Sequence, residues 1–418
     1  MKKSFASLIA ILIFLLTSDL VDSQSVLSKF EIIGRDKSIN IPFEYKNHFI
    51  LTRVMYNKAI PLNFIFDTGA EHTLLLKKEY SDLLGNTYDR RIRLLGADQS
   101  VEMYALITRN VPMGLSPTVS FKQDLLVLEE DFFQLDELTG LYVDGIMSGS
   151  FFKTYVTHID FKRNVLSFIQ PNKFRINRKF VKVPIDIQNG KIYVKAEVTI
   201  NNKKIPVKLL VDTGAGLPLL LYSDSNPDFK APEKSIPGKL GKGLGGFLEG
   251  HIGKITELKL ESFQFPDIVT SFQEMDSTIR LTASTQDIGF ANRNGLIGNQ
   301  LLSRFDIYID YQKNLMYLNP IRDLKKEFRV DKSGMEILAT GHDFKQFVVS
   351  SVIPSSPAQS AGLQKGDIIK RVGGLSTNLL GLDQIISTFS RKEGRKVKVQ
   401  FIRNGVLKKT MVVLENLI

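Results

Sequence analysis

The chain has 418 residues, enough for two to four domains of about 100–200 residues each, and its 43% hydrophobic and 24% charged residues exclude a mainly disordered protein. It has no cysteine and only five histidines, none in an HExxH spacing, which excludes thiol nucleophiles and disulfides and argues against a zinc hydrolase. Its 55 Lys and Arg against 44 Asp and Glu leave a net charge of +11, but these residues are scattered, so nucleic acid is not expected as a partner.

The first element in chain order is a leader segment. Lys2 and Lys3 precede an almost wholly apolar run from Ala6 to Leu16, and a short polar exit ends near Ser23. This pattern is typical of a secretory signal peptide over residues 1–23, because a bilayer span needs about 20 apolar residues. A retained anchor is the alternative. We therefore predict an exported protein in the periplasm, cell envelope or extracellular space, without a stable membrane span.

Two stretches of the sequence then occur twice. Residues 60–76 (IPLNFIFDTGAEHTLLL) align with 205–221 (IPVKLLVDTGAGLPLLL) at an offset of 145, and 145–168 align with 295–318 at an offset of 150. In both copies, short alternating or apolar runs are separated by Asn, Asp, Gly and Pro, which is typical of β-strands. The sequence predicts a mainly β protein with two lobes related by internal duplication. These lobes span residues 30–175 and 176–320.

Each repeat contains Asp-Thr-Gly, which begins at Asp67 and at Asp212 behind an apolar strand end. Two carboxylates held about 3 Å apart cannot both ionise, so one acts as a base and the other as an acid. Such a pair can activate water and hydrolyse an amide without a metal. Two surface turns without a catalytic role are the alternative. The residues predicted to support the pair are Thr68, Gly69, Ala70, Thr213, Gly214 and Ala215.

FDTGA at Asp67 and VDTGA at Asp212, each followed about 80 residues later by an apolar turn (DGIMSG and NGLIGN), resemble aspartic proteases of the pepsin and retropepsin kind. The resemblance covers roughly residues 30–320 and implies two β-barrel lobes, one catalytic Asp from each, and a hairpin flap over the cleft. Ala70 and Ala215 stand where pepsins carry a hydroxyl, which predicts raised carboxylate pKa values and an activity optimum nearer neutral pH. The flap candidates by position are Gly96, Ala97, Asp98, Gly243, Gly245 and Gly246.

The last part of the chain differs in kind. Residues 321–334 are charged and predict a linker, and residues 335–418 form a compact module. Its SPA turn at 356–358 and its GDII stretch at 366–369 resemble a PDZ domain of the bacterial protease type, a small α+β fold. The resemblance implies that an extended peptide or a polypeptide C-terminus binds by adding a strand. The residues predicted to line this groove are Gly341, Phe347, Val348, Val349 and Ser350. A small β-rich lid is the alternative.

These features together predict an exported aspartic endopeptidase, monomeric and free of metal and cofactor, that hydrolyses polypeptide substrates between Asp67 and Asp212. The GNSGG nucleophile motif of trypsin-like envelope proteases is missing, so the PDZ-like module is not taken to indicate a serine protease. The alternative is a non-catalytic protein that holds peptides on a degenerate protease scaffold.

Overall fold

The computed structural model describes residues 38–95, 102–116, 119–243, 246–274 and 293–418, together with two isolated two-residue strands near the N-terminus. This part of the chain is mainly β, as predicted: it has 28 strands, and none of its α-helices is longer than eight residues. No helix in these ranges is both long enough and apolar enough to span a membrane.

The elements of the first half are β1 (Ala6–Ser7), β2 (Leu16–Thr17), β3 (Ser38–Lys46), β4 (Phe49–Tyr56), β5 (Ile60–Asp67), β6 (Leu74–Leu75), α1 (Lys78–Leu83), β7 (Arg90–Leu95), β8 (Glu102–Ser116), β9 (Val119–Leu128), α2 (Leu135–Thr139), β10 (Gly145–Ser148), β11 (Val156–Asp160) and β12 (Val165–Ile169). Those of the second half are β13 (Val181–Gln188), β14 (Lys191–Ile200), β15 (Lys203–Val211), β16 (Leu219–Tyr222), β17 (Ile236–Gly243), β18 (Gly246–Leu260), β19 (Phe263–Gln273), β20 (Gly295–Ile297), α3 (Asn299–Leu302), β21 (Phe305–Asp310) and β22 (Leu315–Pro320). The C-terminal module has β23 (Met335–Thr340), β24 (Gln346–Val352), α4 (Pro357–Ser360), β25 (Ile368–Val372), β26 (Leu375–Ser376), α5 (Leu382–Phe389), β27 (Lys396–Arg403) and β28 (Val406–Val413).

The two halves repeat one strand arrangement. In the first half, β10 runs parallel to β5 and antiparallel to β6. In the second half, β20 runs parallel to β15 and antiparallel to β16 in the same way. The inner end of β15, Leu209–Val211, is wholly buried, because strands cover it on both sides and both of its faces are apolar. Each Asp-Thr-Gly therefore begins at the buried end of a strand.

A shared sheet fixes the two halves relative to each other. Its strand order is β3-β12-β11-β21-β22-β13, and the central pair, β11 and β21, comes from different halves. Ile159 lies opposite Ile307 in this pair, and both side chains are buried in a core that contains residues of both halves. This continuous sheet is the reason why loops about 145 residues apart can be held at one place.

The C-terminal module has its own sheet and its own core. The strand order is β23-β24-β25-β27-β28, with β26 paired to β25. The helix α5 buries Leu382, Ile385 and Phe389 in the same cluster as Ile337 and Ala339 of β23. Since β23 stands at the end of the sheet, the module leaves the edge of this strand, beside α5, without a strand neighbour in its own sheet.

Candidate functional site

The structure brings Asp67 and Asp212 together. Asp67 is the last residue of β5, and Asp212 directly follows β15. Both side chains are buried, and their carboxyl groups share a hydrogen bond. A Cβ atom added at Gly214 would lie 2.3 Å from Oδ2 of Asp67, and one added at Gly69 would lie 2.7 Å from Cγ of Asp212. Glycine is therefore required at both positions for the two carboxyl groups to meet.

Backbone N–H groups orient each carboxyl group. Oδ1 of Asp67 accepts hydrogen bonds from the backbone N–H of Gly69 at 2.7 Å and of Ala70 at 3.1 Å. Oδ1 of Asp212 accepts one from Gly214 at 2.8 Å. These short loops hold the oxygen atoms in place without a charged side chain, which leaves the two acids as each other's main electrostatic partner.

The two threonines tie the loops to each other. Oγ1 of Thr68 donates to the carbonyl of Val211 at 2.7 Å and accepts from the N–H of Thr213 at 3.1 Å. Oγ1 of Thr213 donates to the carbonyl of Phe66 at 2.8 Å and accepts from the N–H of Thr68 at 3.0 Å. All four bonds are buried and cross between the halves. They fix the separation of the two loops, so the threonines act as positioning residues.

Both carboxyl groups hold protons more strongly than an exposed aspartate. Burial raises the pKa of Asp67, and the N–H of Gly69 and the hydrogen bond with Asp212 partly oppose this rise. Burial also raises the pKa of Asp212 well above its ordinary value, and the nearby charge of Asp67 raises it further. The pair is therefore expected to share one proton, which lies mainly on Asp212.

Ser148 and Asn299 also support the site, a role that the sequence did not predict for them. Ser148 stands where the second repeat has Gly298, and its hydroxyl donates to the carbonyl of Ala70 at 2.7 Å. In the second half, Nδ2 of Asn299 donates to the carbonyl of Thr213 at 2.5 Å. Both residues lie within the repeat at an offset of 150, but neither is matched by the same residue in the other copy, so the repeat gave no signal for this role.

Most of the predicted flap residues are not among the residues that the structure describes. Gly96, Ala97, Asp98 and Gly245 lie outside the described residues. Gly243 ends β17 and Gly246 begins β18, and these two glycines lie opposite each other in a hairpin. The assignment of a flap therefore stays a prediction.

The structure places most of the predicted groove residues on an inner strand of the C-terminal module. The predicted groove residues Phe347, Val348, Val349 and Ser350 lie on β24, which is paired with β23 on one side and β25 on the other. Phe347 and Val349 are completely buried in the module's core. An inner strand cannot accept another strand, so the open edge is that of β23, and Gly341 lies directly after it.

One cluster of metal-ligand side chains occurs in the part of the chain that the structure describes. His158, Asp160 and Asp306 bring ligand atoms within 4.8 Å of one another. However, Nε2 of His158 is hydrogen-bonded to Oδ1 of Asp306 at 2.6 Å, and Asp160 accepts from Nε of Arg163 at 2.6 Å. These groups already satisfy one another across the shared sheet, and we assign them a structural role.

Comparison with known proteins identifies the C-terminal module. Residues 323–414 match the family described as PDZ domain, which confirms the prediction for this module. The match begins inside the predicted linker, where the N–H of Lys332 donates to the carbonyl of Phe389 at 3.0 Å and so joins the linker to α5.

Two curated relatives carry the name "Probable CtpA-like serine protease". The one from Staphylococcus haemolyticus is 33% identical over 88 residues, which are 20% of this chain and 18% of the relative. The one from Staphylococcus saprophyticus is 26% identical over 138 residues, which are 32% of this chain and 26% of the relative. This chain therefore spans only about a fifth to a quarter of the length of these relatives.

Two solved structures show partial similarity. A photosystem II D1 C-terminal processing protease has 25% identity, covers 20% of this chain and 23% of its own, and has a TM-score of 0.19. Basic 7S globulin from soybean has 9% identity, covers 68% of this chain and 95% of its own, and has a TM-score of 0.43. Scores at this level do not establish a shared overall fold.

The relatives contradict the function that the sequence predicted. They are named as serine proteases, whereas the sequence predicted an exported aspartic endopeptidase, with a non-catalytic binding protein as the alternative. The assignment to the aspartic class is therefore withdrawn. The PDZ domain and the mainly β fold remain.

Proposed function

We propose that this protein is a protease that receives polypeptide through its PDZ domain. The PDZ match and the protease names of the curated relatives support this proposal. Because the chain covers only 18% and 26% of those relatives, their serine chemistry is not transferred to it. PDZ domains bind an extended peptide at a sheet edge, and β23, beside α5, is a terminal strand of this module's sheet.

Asp67 and Asp212 are the proposed acid/base groups. The observation that carries this proposal is a buried pair of carboxyl groups that share a hydrogen bond where two duplicated halves meet. With one proton between them, one group can accept a proton while the other donates one. We propose for these residues only that they move protons, and we assign no nucleophile to them.

The proposed organisation follows the sequence pattern. Residues 1–23 direct export to the periplasm, cell envelope or medium, and residues 30–175 and 176–320 form the two lobes that hold the proton-sharing pair. A monomer is proposed, because both carboxyl groups come from one chain.

Cleavage of an unfolded protein tests this function. We expect the full chain to cleave fluorescein-labelled, unfolded casein, and we expect Asp67→Asn and Asp212→Asn each to lower the rate by at least about 100-fold, because acid/base groups contribute on this scale. Asp228→Asn is the matched control, since Asp228 is bonded to Lys203 at the surface, and it should cleave at the wild-type rate.

The outcomes separate the two parts of the proposal. Absence of cleavage by the wild type from pH 4 to pH 8 would overturn the protease function. Wild-type rates for both active-pair variants would overturn the roles of Asp67 and Asp212 and leave the protease function standing.

A further inference from the structure

The open edge of β23 is covered by a segment of the first half, residues 135–142, which comprises α2 and the turn after it. A Cβ atom added at Gly140 would lie 3.3 Å from Cβ of Ala339 on β23 and 3.1 Å from Cβ of Leu382 on α5. The backbone of Gly140 therefore sits between the edge strand and the helix. This is the place where a PDZ domain receives an added peptide strand.

Contacts on both sides of Gly140 hold the segment there. The hydroxyl of Tyr142 donates to the carbonyl of His342 at 2.8 Å, and its ring lies against Phe344 with 4.8 Å between the ring centroids. Before Gly140, Leu135 and Leu138 belong to a core of the first half against which Leu338 of β23 packs. The segment thus reaches both the strand and the turn that follows it.

The second half holds the other end of the same strand. Nζ of Lys239 lies 3.1 Å from Oε2 of Glu336, whose side chain is only 2% exposed. Oε2 of Glu336 also accepts from the hydroxyl of Ser351 at 2.9 Å. The edge strand is therefore held by both halves of the body.

The covering segment leads directly to the carboxyl pair. Residue 142 is followed after two residues by β10, and Ser148 at the end of β10 lies opposite Asp67 in the parallel pair. Lys77 anchors this connection, because its Nζ lies 2.8 Å from Asp136 and 3.1 Å from Asp144. The covering segment is therefore continuous with the strand beside Asp67.

We propose that residues 135–142 are an internal occupant of the PDZ groove, which an incoming extended polypeptide end displaces. The inference rests on the peptide recognition proposed above and adds its regulation. In the structure the groove is closed by the protein's own chain, so a free peptide binds only to the fraction of molecules in which the segment has left. Its apparent affinity is reduced by that fraction.

A disulfide lock tests the proposal directly, because the chain has no cysteine of its own. In Gly140→Cys/Ala339→Cys, the two Cβ positions would be 3.3 Å apart, slightly below the 3.5–4.5 Å of natural disulfides. Gly140 has a φ of +65°, so a cysteine there carries backbone strain, which the single variant Gly140→Cys measures. The probe is the synthetic peptide LDELTGLY, the sequence of residues 135–142, with a fluorescein label. Under oxidising conditions we expect the full-length double variant to bind it at least about 10-fold more weakly than after reduction. Each single cysteine variant, which should not respond to reduction, is the control.

A second variant opens the groove. Tyr142 is 49% exposed, so Tyr142→Ala should fold while it loses the bond to His342 and the contact with Phe344. We expect it to bind the probe about 5–20-fold more tightly than the wild type. Tyr88→Ala, which removes a tyrosine hydroxyl bonded to Asp82, is the matched control and should bind like the wild type.

Equal binding by the oxidised and reduced double variant, together with wild-type binding by Tyr142→Ala, would overturn the internal occupant. This failure is distinct from failure of the proposed function. Casein cleavage by a protein whose groove does not respond would leave the protease proposal intact, and a responsive groove on a protein that cleaves nothing would leave the occupant intact.

Discussion

Replacing Thr68 with valine is expected to lower the free energy of unfolding of the two-lobed body by about 2–4 kcal/mol. Valine keeps the shape of threonine but removes the hydroxyl that joins the carbonyl of Val211 to the N–H of Thr213. Both backbone groups would then be buried without a partner, and each such group costs about 1–3 kcal/mol. Urea unfolding followed by circular dichroism measures the change.

Two comparisons show whether the loss comes from these bonds. Thr68→Ser keeps the hydroxyl and should recover most of the stability. Thr388→Val removes a hydroxyl that bonds only within α5, to the carbonyl of Gln384, and should change little. Because Thr213 makes the reciprocal pair of bonds, the effects of Thr68→Val and Thr213→Val should not add in the double variant. An unchanged urea midpoint for Thr68→Val would show that the threonine hydrogen bonds do not hold the two loops together.

Replacing Asp212 with asparagine is expected to raise the Tm of the protein at pH 8 and to have little effect at pH 4. Burial and the charge of Asp67 raise the pKa of Asp212 in the folded protein above its value in the unfolded chain. Folding therefore favours the protonated form. The contribution of Asp212 to stability is complete below the unfolded pKa and is lost as the pH rises through the folded pKa. Asparagine stays neutral and avoids this loss.

Thermal unfolding of the wild type and Asp212→Asn at several pH values between 4 and 8 measures the effect. The difference in Tm should grow steadily with pH. Asp228→Asn, which changes a surface carboxylate paired with Lys203, should show no such growth. A constant difference between Asp212→Asn and the wild type over this range would contradict the raised pKa of the buried pair.

Local sequence patterns predicted the parts of this protein that depend on few neighbours. The repeat at an offset of 145 marked Asp67 and Asp212 as equivalent residues behind buried strands, and the structure brings them together. The SPA and GDII motifs marked a PDZ domain, which the family match confirms. The catalytic class was not predictable in this way, and the curated relatives contradict the class that the motifs suggested.

The strand order of the C-terminal module shows why other features could not be predicted from the sequence. The sequence pattern of residues 347–350 predicts a strand, and these residues form one. The pattern does not indicate which edge of the strand remains unpaired in the sheet. Because β24 is paired on both sides, β23 is the strand at this end of the sheet whose outer edge has no strand partner in the module. The short segment 135–142 carries no signal for its role either, because Gly140 meets Ala339 and Leu382 only after both domains have folded.

The sequence by itself determined the β character, the duplication and the chemistry available at each loop, because alternation, turn residues and motifs act over a few neighbouring positions. Only the tertiary structure decided which loops meet and which edge is covered. The shared sheet through β11 and β21 brings the two Asp-Thr-Gly loops together, and the packing of α2 against β23 closes the groove. Both features depend on contacts between residues that are far apart in the chain. Such contacts form because the whole fold buries apolar surface, and no local sequence pattern specifies them.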